Sequence, residues 1–167
     1  MRKTAELISL AALAALVFIA FNAFYGPHPL PSRIPTHFDA LGQVNGWGSR
    51  NSLLFFPVFA AALYLLLTVV ARFPELFNYP VAVTDLNRAQ LEGLTFSLLA
   101  WIKAEIILFS MWMEFGMAQA ARNPGAGFRP YPVAVFVATL FGTIIGHFVA
   151  IFRAAKADGR VSEQAES

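Results

Sequence analysis

Leu30 to Asn51, LPSRIPTHFDALGQVNGWGSRN, is the one long segment of the chain that is neither lipid-like nor a terminal tail. It holds Pro31, Pro35, Gly42, Gly46 and Gly48, turn formers, mixed with His37, Asp39, Asn45, Ser49 and Arg50. Those polar types can bind a proton, an anion or a metal. On both sides the sequence is apolar in blocks about 20 residues long, the length that crosses a bilayer. The segment therefore reads as a Pro-braced polar cap presented by a membrane scaffold.

Composition supports that division. Of 167 residues, 57% are hydrophobic and 13% charged, against about 45–50% and 25% in a soluble domain. The absence of cysteine excludes disulfides, thiolate metal sites and cysteine nucleophiles. A net charge of +2 is too small to argue for nucleic acid. The basic residues read instead as topology signals in a lipid bilayer.

Four spans follow from the apolar blocks. Span 1 is expected over Ala5–Tyr25, after Arg2 and Lys3. It reads as an uncleaved anchor, because cleavage after Ala23 would put Phe21 at −3, where a signal peptidase needs a small residue. Span 2 is expected over Ser52–Ala71, with Pro57 in its first turns, where a missing amide proton is tolerated. A polar connection through Pro74, Pro80 and Asp85 leads to Thr84–Asn87, a run of N-cap candidates. Span 3 is expected over Leu91–Ala121, long enough to tilt, and Asn123-Pro124-Gly125-Ala126-Gly127 breaks it. Span 4 is expected over Tyr131–Phe152. The membrane domain thus covers residues 1–153, its motif loop 26–52, and a charged, fraying tail 154–167.

This is an all-α integral membrane fold, a four-transmembrane-helix bundle. With both termini in the cytoplasm, Arg2, Lys3, Arg72, Arg88, Arg153, Lys156 and Arg160 lie inside, against Arg33, Arg50, Arg122 and Arg129 outside. The bias predicts N-in/C-in, with the motif loop on the exterior or periplasmic face of the cell membrane.

Ionisable residues inside the apolar blocks are costly and face the protein interior. Glu92, Lys103 and Glu114 recur every 11 residues, which places them on one helical stripe, with successive members about 16 Å apart along the axis. That is too far for an ion-pair ladder, so each needs a partner elsewhere. Glu114 is expected near the motif loop, within reach of His37, Arg50 or Arg33. Lys103 is expected at mid-depth, with Glu105 and His147 as neighbours. Gly142 and Gly146 form a small-xxx-small pair, read first as packing within the chain and second as a homo-oligomer face.

In the loop, His37 and Asp39 are two residues apart and can point the same way. With Glu114 they offer three ligands for a divalent metal, or a base and its orienter. A structural reading stands beside these, in which both residues bond the loop itself. Asn45-Gly46-Trp47-Gly48 reads as a tight turn, with Trp47 at the lipid interface.

Leu30-Pro31, Ile34-Pro35-Thr36-His37-Phe38, Gly42 and Gly46-Trp47-Gly48-Ser49-Arg50 resemble the N-terminal membrane domain of SdpI-like proteins, a domain of largely unknown function. The resemblance covers span 1, the loop and the start of span 2. Its named member is a multispan immunity protein that protects a bacterium from its own secreted toxic peptide and signals to a membrane-recruited repressor. It has more spans than the four read here. The first functional reading is an SdpI-like protein that binds a peptide or small amphiphile at the outer interface, with His37, Asp39, Asn45, Trp47 and Arg50 of the loop and Glu114 of the facing helix as the binding residues. Two other readings stay open. One is a membrane enzyme acting on a lipid-embedded substrate; the other is an oligomeric transporter using Lys103, Glu105 and His147.

Overall fold

The computed structural model describes residues 2–123, 129 and 131–165, with only the backbone for 158–165. Four helices are long and apolar enough to cross a membrane. They are α1 (Arg2–Tyr25), α2 (Phe55–Val70), α3 (Arg88–Arg122) and α4 (Tyr131–Ala165). Large apolar side chains such as Phe18, Phe21, Leu65, Leu66, Phe141 and Ile145 stand exposed along them. In a soluble protein that surface would be an aggregation liability; against lipid tails it is matched.

Small residues decide how the helices pack. The buried positions of α1 are Ala5, Ser9, Ala12, Leu16, Ala20 and Ala23, all but one of them small. Their steps of three and four make one narrow seam, and small side chains let two backbones approach closely. That seam lies against the buried stripe of α3, Lys103, Ile107, Ser110, Glu114 and Met117. Buried hydroxyls on the seam are satisfied within their own helices: Ser9 Oγ donates to Ala5 O at 2.8 Å, and Ser110 Oγ to Ile106 O at 2.9 Å. Helix α2 adds Ala60, packed with Ala12, Leu16 and Ile107.

The fourth helix stands apart from this three-helix core. It leans on α3 through the stacked rings of Phe109 and Phe136, 4.2 Å apart, and through a polar seam described below. Gly142 and Gly146 are exposed, and a Cβ on either would meet nothing within 4 Å. Packing within the chain, the first reading of that pair, is therefore corrected. Helix α4 continues through the start of the charged segment that begins at residue 154, to Ala165. The expected break at Pro124–Gly127 lies outside the described residues.

The connection between α1 and α2 holds ordered β structure. Strands β1 (Arg33–Phe38) and β2 (Val44–Ser49) pair antiparallel, and a 3-10 turn, Arg50–Leu54, leads into α2. The expected turn at Asn45–Gly48 is thus a strand. The chain reverses earlier, at Asp39–Gln43, where Gly42 takes φ 79. Glycine adopts that conformation without a Cβ clash. Gly46 pairs with His37, and a Cβ there would come within 2.7 Å of the His37 Cβ. Buried Leu30, Ile34 and Leu53 seat the hairpin on Ala23 of α1 and on Met117 and Ala118 of α3.

Between α2 and α3 the Thr84–Asn87 run locks the loop rather than only starting a helix. Asn87 Oδ1 accepts from Thr84 N at 2.9 Å, and its Nδ2 donates to Ala82 O at 3.1 Å. The first turns of α3 then pack on late turns of α4, Leu91 against Ile151 and Ala154.

Candidate functional site

The hairpin holds several of its polar side chains within itself. Asp39 Oδ1 accepts from Leu41 N at 2.9 Å and from Gln43 N at 2.8 Å, so its carboxylate templates the reversal. His37 Nδ1 donates to Asn45 Oδ1 across the strands. Ser49 Oγ accepts from Asn51 N at 3.2 Å. Arg50 clamps the base: its Nη1 donates to Leu30 O at 2.7 Å, and its guanidinium lies 4.5 Å from the centre of the Phe24 ring. The Arg50 Nε, also buried, has no hydrogen-bond partner among the described residues. Trp47 is half exposed, at 47%.

Beside the hairpin lies a groove of about 600 Å³, between β1 and the facing turns of α3 and α4. Its walls are chiefly apolar: Phe38, Ala40, Phe109, Met113 and Val133. Thr36, His37 and Asp39 supply its polar rim. A concave, largely apolar space with a few convergent polar groups is the usual form of a small-molecule site.

Glu114 does not join this rim. It is fully buried, and neither carboxyl oxygen has a hydrogen-bond partner among the described residues. No three His, Cys, Asp or Glu side chains among the described residues are grouped to hold a metal ion. His37, Asp39 and Glu114 are therefore not brought together as a ligand set. Nor does Glu114 form a salt bridge with Arg33 or Arg50; among the described residues the ion pair is Lys103 with Glu6.

That pair overturns the expected surroundings of Lys103. Its Nζ donates to both carboxylate oxygens of Glu6 at 2.8 Å and to Thr68 Oγ1 at 3.2 Å. It also sits 4.2 Å from the centre of the Tyr64 ring, whose hydroxyl donates to Glu6 Oε2 at 3.1 Å. One cluster thus ties α1, α2 and α3 toward the end of the bundle that carries the N-terminus. Glu6, Tyr64 and Thr68 were missed by sequence reasoning. An acid in the first turns of an otherwise acid-free span was the available signal for Glu6.

Glu105 and His147 form a separate seam toward α4. Thr143 Oγ1 donates to Glu105 Oε1 at 2.5 Å. His147 Nδ1 donates to Thr143 O at 2.8 Å, and its Nε2 lies within hydrogen-bond distance of Ser97 Oγ at 3.3 Å. Glu105 and His147 each bond Thr143, one at its hydroxyl and one at its carbonyl. Lys103 belongs to a different cluster.

A core of three helices, an attached fourth and a hairpin cap between the first two define a multi-pass membrane protein with a ligand-sized groove at the capped end. Residues 12–61, from the middle of α1 through the hairpin into α2, match the family model described as a domain of unknown function (DUF1648). Over 126 residues the chain is 29% identical to a protein of Archaeoglobus fulgidus described as uncharacterized. That alignment covers 69% of this chain and 61% of the relative's length. No solved structure matches.

Proposed function

We propose that this protein binds an amphiphile, a lipid-like molecule or an amphipathic peptide, in the groove between the hairpin and α3–α4. One observation carries the reading: a chiefly apolar groove of about 600 Å³ lies beside a hairpin that holds His37 and Asp39 in fixed positions at its rim. An apolar tail fits the walls of Phe109, Met113 and Val133, and a polar head meets Thr36, His37 and Asp39. The excess of basic residues toward the termini supports N-in/C-in, with the groove on the exterior face of the cell membrane. The SdpI-like character of the hairpin sequence favours a peptide among the amphiphiles, in immunity or signalling.

The test is photolabelling of the full chain in nanodiscs with a diazirine-bearing fatty acid. Adducts are expected to concentrate on Phe109, Met113 and Val133. Val133→Trp, which fills the groove, should remove them. Labelling spread evenly over the lipid-facing helices, unchanged in Val133→Trp, would sink the reading.

A further inference from the structure

We propose a second binding site, for a phosphate-bearing anion, at the opposite end of the molecule. A cavity of about 180 Å³ lies where the start of α1, the end of α2 and α3 meet. A single buried water needs only about 10–15 Å³, so a phosphate group has room. Arg2, Arg72 and Lys103 line the cavity with a single carboxylate, Glu6. Lys103 has a side chain only 3% exposed. Glu6 is already engaged by Lys103 and Tyr64, and neither arginine forms a salt bridge among the described residues. Arg2 is held at the cavity by the Phe96 ring, 5.0 Å from its guanidinium carbon.

Both arginines carry guanidinium forks suited to phosphate oxygens. The remaining walls are Thr68, whose hydroxyl is already bonded to Lys103 and to Tyr64 O, and apolar side chains, Leu67, Phe96 and Leu99 among them. An anion whose other end is hydrocarbon satisfies both halves, and basic pockets between membrane helices take anionic headgroups for this reason. The shared chemistry is a phosphate group, carried by an anionic phospholipid or free in solution. This site is independent of the groove.

The experiment uses the full chain in nanodiscs of phosphatidylcholine with or without phosphatidylglycerol, with retained lipid read by native mass spectrometry. Wild-type protein should retain phosphatidylglycerol in preference to phosphatidylcholine. Arg2→Gln with Arg72→Gln should weaken that retention roughly 10–30-fold, the loss expected for two cations near a headgroup. Both side chains are exposed, so the variant should fold. Arg122→Gln, at the hairpin end, should leave retention unchanged. Inorganic phosphate that raises the melting temperature of wild type, but not of the double variant, in pure phosphatidylcholine discs would identify free phosphate as the ligand. No preference for phosphatidylglycerol together with no phosphate response overturns the proposal. So does an equal loss in Arg122→Gln, which marks a general charge effect.

Discussion

At the hairpin end, polar side chains close on their own strand pair, whereas at the opposite end they reach across three helices. Asp39 binds two amides within its own turn, and His37 binds its cross-strand neighbour. Lys103, by contrast, is held by Glu6 from α1 and Thr68 from α2. The hairpin can therefore change its rim without loosening the helices, while the Lys103 cluster couples helix packing to charge. One fold carries two chemical environments, a groove that suits apolar ligands and a basic cavity.

The largest test of this contrast removes one partner of the buried pair. Breaking such a pair costs about 3–5 kcal/mol when the remaining charge is trapped. In Glu6→Ala the trapped charge is Lys103, only 3% exposed. In Lys103→Met it is Glu6, 29% exposed and able to turn to water. Glu6→Ala is therefore expected to lower stability by about 3 kcal/mol, and Lys103→Met by clearly less. Thermal unfolding in detergent checks both, and equal losses would show that the pair is not organised by burial.

The spans were legible because apolar length alone sets them. The partner of Lys103 was not. A partner 97 residues away on another helix leaves no spacing signal in the sequence, and Lys103 lies level with Glu6 only once α1 and α3 pack together. The hairpin was hidden for a different reason. Asn-Gly is a strong turn signal, yet Asp39 and Gly42 make the reversal earlier and leave Gly46 the close strand contact with His37. The groove's rim residues His37 and Asp39 stood out in the sequence, but its walls left no mark, since Phe109, Met113 and Val133 look like any other lipid-facing residues.

A second test compares Lys103 with Glu114, which share the stripe of α3 but not its bonding. A buried polar group without a hydrogen bond costs about 1–3 kcal/mol. Replacing Glu114 by Met fills a similar volume and removes two such oxygens. Glu114→Met is expected to raise stability by about 1–2 kcal/mol, opposite in sign to Lys103→Met. A loss instead would mean that Glu114 meets a water or ligand at the capped end, and would return it to the candidate site.

The smallest expected effect separates structure from chemistry at the rim. Asp39 acts in the turn through Oδ1, which accepts from Leu41 N and Gln43 N. Asparagine keeps an oxygen there, so Asp39→Asn should change stability by less than about 0.5 kcal/mol, the range of benign surface substitutions. Asp39→Ala loses both bonds and should cost about 1 kcal/mol. Amphiphile labelling should follow the same order, near normal in Asn and weaker in Ala as the rim loosens. A metal ligand or proton-transfer group would behave otherwise, because the amide can neither carry the charge nor exchange the proton. Full stability with labelling abolished in Asp39→Asn would therefore show that the carboxylate itself meets the ligand, and would make the hairpin rim a charged site like the other end.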